Sequence, residues 1–147
     1  MIRSGRRVLI LPMALTLSLV ACEEARQIGG DIRDEVQGAV DSAAESASQV
    51  LAEVDERIDE ATRSAFENIR SDVEEIQEDI AAAADLAGNE AEEAYENLER
   101  RAAELRARAD EAAGDAGGEA RQAWQRVREA LEELQARIEA AIDAFRA

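Results

Sequence analysis

Five serines are the candidate nucleophiles in the body of this chain, and none has a partner that would activate it. They are Ser42, Ser46, Ser48, Ser64 and Ser71, and all fall within a helical pattern. A serine needs an adjacent base, usually histidine, before it can attack a carbonyl. The 147-residue chain contains no histidine and no lysine, because all 17 of its basic residues are arginine. We therefore expect a protein that is not an enzyme and has no small-molecule substrate.

Paired carboxylates are the second type of residue that could do chemistry. They occur at residues 55–56, 59–60, 74–75, 78–79 and 92–93. A hard cation such as Ca²⁺ takes six or more oxygens, usually from a dedicated loop, and the sequence has no such loop pattern. We interpret these pairs as a solvated helix face and expect neither a metal site nor a cofactor.

The arginines at 100, 101, 106 and 108 form the basic cluster of the helical region. They could bind an acidic partner, or they could pair along their own helix with neighbours such as Glu104 and Glu111. We favour the second interpretation.

The chain has one cysteine, Cys22, which follows an N-terminal segment of distinctive composition. Arg3, Arg6 and Arg7 precede an apolar stretch at residues 8–20, and Leu19-Val20-Ala21 lead directly into the cysteine. A basic segment followed by a short apolar one is typical of a secretory signal peptide, and 13 residues are too few to span a bilayer comfortably. We therefore exclude residues 1–21 from the fold.

Leu19-Val20-Ala21-Cys22 resembles the lipobox of bacterial lipoproteins. The resemblance implies that diacylglycerol alkylates the Cys22 thiol, that residues 1–21 are removed, and that the new N-terminus is acylated. These covalent lipids would anchor the protein to a membrane, since two or more acyl chains give stable attachment. In this class an Asp after the cysteine favours the inner membrane. Because Glu23 follows Cys22, we expect the outer membrane, on its periplasmic side.

Charge is distributed unevenly along the chain after the leader. Residues 22–97 hold 23 acids and 5 arginines, whereas residues 98–147 hold 11 acids and 9 arginines. A formal net charge of −17 argues against nucleic acid as a partner, because phosphate binding requires a basic surface. The asymmetry also predicts that the last part folds back on the first.

The body of the chain is rich in alanine, glutamate and arginine and poor in aromatics, which predicts an all-α protein. Glycine-containing breaks divide it into a lipidated Cys22 with its tether (residues 22–30), a long acidic helix (31–87), a second helix (90–113) and a third (119–147). We expect Asn89 to cap the second helix with Glu92 in a capping box. The predicted architecture is an antiparallel coiled coil or an elongated helical bundle.

The apolar spacing differs between the first and third helices. Rows such as Val40, Leu51, Thr62 and Val73 repeat every eleven residues in the first. The third helix shows a heptad pattern, which predicts helix–helix packing. Its predicted packing seam consists of Trp124, Val127, Leu131, Leu134, Ile138 and Phe145.

Residues 19–44 resemble the entericidin-type small bacterial lipoproteins. In that family a glycine-containing stretch after the lipidated cysteine leads through Asp-Ile into a small-residue amphipathic helix. The matching residues here are Ile28-Gly29-Gly30, Asp31-Ile32, Gly38-Ala39-Val40 and Ala43-Ala44. The chain from about residue 50 onward has no counterpart in that family. Its eleven-residue repeats are similar to those of apolipoproteins and late-embryogenesis-abundant proteins.

Two functions follow from these observations. The first is a non-enzymatic, lipid-anchored envelope protein with a structural or adaptor role through helix–helix contacts, with a protein partner or a second copy. The second is a membrane-active or stress-protective amphipathic lipoprotein, as the resemblance to entericidins and late-embryogenesis-abundant proteins implies. The heptad at 119–147 favours the first function, and the eleven-residue stripe favours the second.

Overall fold

The computed structural model describes residues 34–146, which form four α-helices and contain no β-strand. The helices are α1 (residues 34–54), α2 (Glu60–Ala83), α3 (Gly88–Asp115) and α4 (Gly118–Arg146). A 3₁₀ turn, Asp55–Arg57, follows α1. The apolar faces of the four helices meet in one cluster of buried side chains. This arrangement confirms the predicted all-α helical bundle.

The buried positions of α2, α3 and α4 are spaced alternately by four and three residues, which is the spacing of helices that pack by heptads. In α2 they are Thr62, Phe66, Ile69, Val73, Ile76, Ile80 and Ala83. The same alternation links Val40, Ala44, Ala47, Leu51 and Val54 in α1. Within each helix the buried residues therefore follow the heptad spacing. The eleven-residue row Val40, Leu51, Thr62 and Val73 is buried throughout, whereas Ala84 and Ala87, at the ends of such rows, are exposed.

The helix predicted over residues 31–87 is interrupted at residues 55–59. Ile58 and Asp59 have extended backbone, with ψ angles of 131° and 169°, so the hydrogen-bond ladder of α1 cannot continue into α2. Val54, Ile58, Thr62 and Phe66 follow one another at intervals of four positions. Two intervals of four and one of three make eleven, both within a helix, as from Val40 to Leu51, and across the interruption, as from Leu51 to Thr62. This sum explains the apparent period.

The chain reverses direction at this interruption. Phe66 of α2 packs against Trp124 of α4, with ring centroids 6.0 Å apart. Arg126, two residues further along α4, pairs with Glu53 of α1 at 2.7 Å. If α1 and α2 were collinear, Glu53 would lie about 20 Å from the level of Phe66, at 1.5 Å per residue. Helix α1 therefore does not continue the line of α2 but folds back against the bundle, where its buried residues join the common core.

Ion pairs between helices give the direction of the remaining two. Arg101 and Arg108 of α3 pair with Asp79 and Asp72 of α2, respectively, so residue numbers rise along one helix as they fall along the other. Between α3 and α4, Asp110 pairs with Arg128. Arg146, at the far end of α4, reaches Glu92 near the start of α3. Helix α3 thus runs antiparallel to both α2 and α4.

The two later turns are shorter than the sequence predicts. Gly88 and Gly118 begin α3 and α4 with φ angles of +61° and +55°, which a residue with a side chain adopts at a cost. The predicted cap at Asn89 is wrong, because Ala87 occupies the N-cap position and makes no side-chain cap bond. Backbone hydrogen bonds from residues 84–86 close the end of α2. Helix α3 then begins at Gly88, so Asn89 already lies in its first turn. Glu92 accepts a hydrogen bond from Arg146 instead.

Candidate functional site

The polar centre of the bundle lies where α1 meets α2, at residues 55–63, which we call the α1–α2 junction. Asp59 caps α2, since its Oδ1 accepts from the backbone N–H of Thr62 at 3.1 Å and from the Thr62 hydroxyl at 2.5 Å. The same hydroxyl accepts a hydrogen bond from the indole N–H of Trp124 at 2.9 Å. Thr62 is 3% exposed and Trp124 is fully buried. This chain of bonds ties α4 to the start of α2.

The pKa of Asp59 lies below its ordinary value, chiefly because the Thr62 hydroxyl donates to the carboxylate. Backbone N–H groups, including that of Gly117 in the α3–α4 turn, stabilise the same negative charge. Partial burial of the carboxyl opposes this effect without reversing it. The ionised form of Asp59 therefore links the start of α2 to Gly117 in the α3–α4 turn.

Arg63 closes the other side of the α1–α2 junction. Its guanidinium pairs with the Asp55 carboxylate at 2.5 Å and donates to the backbone carbonyls of Asp55 and Ile58 at 2.8 and 3.0 Å. Its carbon centre lies 5.6 Å from the centre of the Phe66 ring. The last carbonyls of a helix lack partners within it, so Arg63 satisfies groups that α1 and the 3₁₀ turn leave open.

The predicted packing seam of α4 faces the other helices of the same chain. Trp124, Val127, Leu131, Leu134 and Ile138 are all at most 1% exposed. Phe145 is half-buried and packs against Tyr95 of α3, with ring centroids 5.1 Å apart. The seam is thus covered within a single chain, which leaves charged residues on the outer face of α4.

The interpretation that the arginines of α3 pair along their own helix is wrong for Arg101 and Arg106, whose ion pairs cross to neighbouring helices. Arg101 contacts Glu75 and Asp79 of α2, and Arg106 pairs with Glu132 of α4 at 3.2 Å. Arg108 contacts Glu104 within its own helix at 3.1 Å, the i,i+4 pair that the sequence predicts, and also Asp72 of α2. Arginines of the later part therefore meet acids of the earlier part, as the charge asymmetry predicts.

Arg146 makes a similar link at the end of α4. Its guanidinium donates to Glu92 and Glu96 of α3, at 2.7 Å in each case. Both carboxylates raise the pKa of Arg146 above its ordinary value, with Glu92 contributing most. This pair of contacts fixes the last turn of α4 against the first turns of α3.

The candidate catalytic residues have no arrangement that would activate them. Four of the five serines are exposed on helix surfaces, and Ser48 is half-buried. The carboxylate pairs are not simply solvated, because Asp55, Asp59, Glu75, Asp79 and Glu92 all bond to other side chains. Among residues 34–146, no group of three or more potential ligands is arranged to hold a metal ion.

A shallow groove of about 560 Å³ runs between α2 and α3. Ala83 and Leu98 form part of its apolar lining, with the half-buried Leu86 at one end. The ion pair of Arg101 with Asp79 lies along its wall. The groove contains no serine, so it does not bring a candidate nucleophile to an apolar surface.

The predicted lipobox, Leu19, Val20 and Ala21, and the lipidation site Cys22 lie outside the described residues, as does the tether. None of the helices in the described part of the chain is long and apolar enough to cross a membrane. Comparison of the chain with protein-family models, curated proteins and solved structures gives no match. The function must therefore be argued from the residues of the chain itself.

Proposed function

We propose that this chain is a lipid-anchored protein of the bacterial cell envelope, attached through Cys22 to the periplasmic face of the outer membrane, with a structural or adaptor role. The observation that carries the proposal is the combination of a lipobox-like sequence with a bundle that covers its own apolar faces. The bundle needs no lipid to bury its helices, and the acyl chains would supply membrane attachment.

The tether sets the distance between membrane and bundle. Eleven residues, 23–33, separate Cys22 from the first described residue of α1. An extended chain spans at most about 3.6 Å per residue, so this segment reaches about 40 Å or less. Residues 34–146 carry 31 acids and 12 arginines, so an anionic lipid surface would repel the bundle. Attachment through lipid combined with repulsion of the bundle suits a protein that stands off the membrane.

The role we propose is structural rather than catalytic. The chain offers no histidine or lysine to activate its serines, and its largest groups of polar contacts join helices to each other. Because the α4 seam is covered within the chain, a protein partner or a second copy would meet the charged outer surface. Contacts of this kind are sensitive to salt and give specificity more than affinity.

Mass spectrometry of the purified protein tests the anchor. We expect an N-terminus at Cys22 that carries diacylglycerol and an amide-linked acyl chain, and recovery of the protein with the outer membrane. Cys22→Ser should abolish the lipid mass and release the protein from the membrane fraction. The matched variant Glu23→Gln keeps the thiol and should keep the lipid. A mature N-terminus elsewhere, or an unmodified Cys22, would refute the proposal.

The second candidate is a membrane-active or stress-protective role, and one observation favours it. Twelve of the thirty buried hydrophobic residues are alanine, so the core buries little area per residue. Helices that bury little apolar area against each other lose less stabilisation when they leave the bundle and bind lipid instead. This role would use the amphipathic faces of the separated helices rather than the outer surface of the bundle.

Far-UV circular dichroism of the Cys22→Ser protein without its leader separates the two roles. Full helicity with a cooperative thermal transition in buffer supports the structural role. A weak helical signal in buffer that rises on addition of vesicles, or on drying, supports the second. Vesicles should include a zwitterionic and an anionic composition, because the net charge of the bundle opposes binding to the anionic one.

A further inference from the structure

Helix α1 differs from the other three helices in its charges. Residues 34–54 contain five acids and no basic residue, whereas α4 contains six acids and five arginines. Helix α2 contains seven acids and two arginines, and α3 and α4 also hold more acids than arginines, so α1 packs in a bundle whose other helices are all net negative. Like charges repel, and the repulsion weakens as salt screens it. The position of α1 in the bundle is therefore electrostatically opposed.

Few ion pairs hold α1 against its neighbours. Within residues 34–146, Glu53 makes the ion pair that joins α1 to another helix, through Arg126. By contrast, α3 is joined to α2 by Arg101 and Arg108, and to α4 by Arg106, Arg128 and Arg146. The three helices α2, α3 and α4 thus share a network of opposite charges in which α1 takes little part.

The apolar face of α1 is also the one with the smallest side chains. Its buried residues are Val40, Ala43, Ala44, Ala47, Leu51 and Val54. The largest of them is a leucine, whereas α2 contributes Phe66, α3 contributes Tyr95 and α4 contributes Trp124. Because apolar stabilisation scales with buried area, α1 contributes less per turn to the core than its neighbours do.

The α1–α2 junction keeps its own hydrogen bonds whether or not α1 is packed. Arg63 satisfies the carbonyls of Asp55 and Ile58, and Asp59 caps α2. All of these partners lie between residues 55 and 63, so a bend in the chain just before Asp55, at the end of α1, breaks none of them. A segment whose helix ends are satisfied locally can act as a hinge without exposing unpaired backbone groups.

We propose that α1 is a detachable arm, hinged at the start of the α1–α2 junction, and that ionic strength controls its docking onto the other three helices. Low salt favours release, because repulsion between α1 and these net-negative helices is then unscreened. The functional consequence rests on the proposed lipid anchor, since α1 lies between Cys22 and the remaining helices. Its release adds up to about 30 Å to the reach of α2, α3 and α4 from the membrane, at 1.5 Å per residue.

Hydrogen exchange measured by mass spectrometry on the full lipidated protein in detergent micelles tests the proposal. We compare peptides from residues 40–54 with peptides from 124–142 at about 10 mM and about 100 mM NaCl, where the Debye length falls from about 30 Å to about 10 Å. At low salt we expect α1 amides to exchange at least about tenfold faster than α4 amides. At the higher salt α1 exchange should slow several-fold more than α4 exchange does.

Charge reversal at two exposed sites provides the matched comparison. Glu45→Arg on α1 should slow α1 exchange at low salt and flatten its salt dependence. Glu133→Arg changes the net charge equally on α4, where Glu133 contacts Arg137 of its own helix, and should leave α1 exchange nearly unchanged. Both residues are exposed in the folded chain.

Three outcomes would overturn the proposal: equal exchange of α1 and α4 at both salt concentrations, exchange of α1 at unstructured rates under both conditions, or an equal response to the two reversals. Repeating the measurement on Cys22→Ser separates this proposal from the anchor. Salt-dependent release of α1 in that variant supports the hinge even if no lipid is found on Cys22. A lipidated protein without such release would retain the anchor and refute the hinge.

Discussion

Replacing Thr62 with valine should expose the dependence of the bundle on the Thr62 hydroxyl, which is buried and hydrogen-bonded. Thr62→Val preserves the shape of the side chain but removes the acceptor for the Trp124 indole N–H, 2.9 Å away, and the donor to Asp59. A buried donor left without a partner costs about 1–3 kcal/mol. We expect a loss of about 2 kcal/mol in the free energy of unfolding, or roughly 8 °C in Tm at about 4 °C per kcal/mol.

Thr62→Ser is the control that retains the hydroxyl, and it should lose only about 1 kcal/mol for the missing methyl group. A double-mutant cycle with Trp124→Phe isolates the hydrogen bond, because phenylalanine has no N–H to leave unpaired. In the phenylalanine background Thr62→Val should cost less, by about 1 kcal/mol or more. Urea unfolding followed by far-UV circular dichroism can be measured for all four proteins of the cycle. Tryptophan fluorescence cannot, because Trp124→Phe removes the chain's one tryptophan. An equal cost of Thr62→Val in both backgrounds would refute the reasoning.

Two further stability predictions follow from the fold. The lowered pKa of Asp59 means that its ionised form stabilises the folded state above the unfolded-state pKa of about 4. Wild type should therefore lose stability relative to Asp59→Asn as the pH falls through the folded-state pKa. A constant difference between pH 6 and pH 2, in urea unfolding over that range, would contradict this. Ile138→Ala should lose about 2–5 kcal/mol, because Ile138 is fully buried, whereas the exposed Glu139→Ala should change stability by less than about 0.5 kcal/mol. Comparable losses in these two variants would mean that α4 does not pack through this seam.

The all-α fold could be predicted from the sequence because composition and periodicity both act over short distances. Alanine, glutamate and arginine favour helix at almost every position, and Gly117-Gly118 interrupt the pattern where α4 begins. The heptad of α4 could likewise be found, since its large apolar residues leave little ambiguity about which face is buried.

The break between α1 and α2 could not be found by the same signals, because residues 55–59 contain neither glycine nor proline. It depends on a cap from Asp59 and on carbonyl bonds from Arg63, which become favourable only when the chain turns. One signal was present in the sequence. Three successive spacings of four, from Val54 to Phe66, interrupt the heptad alternation at the turn, although the step from Leu51 to Thr62 across it is still eleven residues.

The partners of charged residues were largely beyond prediction, because they lie far apart in the sequence. Arg101 and Asp79 are 22 residues apart, and Arg126 and Glu53 are 73 apart. Spacing rules for helices identify pairs three or four residues apart, such as Glu104 with Arg108. The net asymmetry of charge predicted that the later part would fold on the earlier part, but it could not predict which helix would be left with few partners.

The burial of the heptad seam limits how a partner could bind this protein. A partner that recognises the apolar faces covered by α1 must displace α1, and its apparent affinity is proportional to the fraction of molecules in which α1 is released. A partner that recognises the outer surface meets mainly carboxylates, with arginines already engaged in ion pairs. A partner for the apolar faces would bind more tightly at low salt only if the greater release of α1 outweighs the weaker hydrophobic association. A partner for the carboxylate-rich outer surface would bind more tightly at low salt only if that partner is basic. The salt dependence of α1 exchange with and without a candidate partner therefore distinguishes them, because only the first kind of partner increases α1 exchange as it binds.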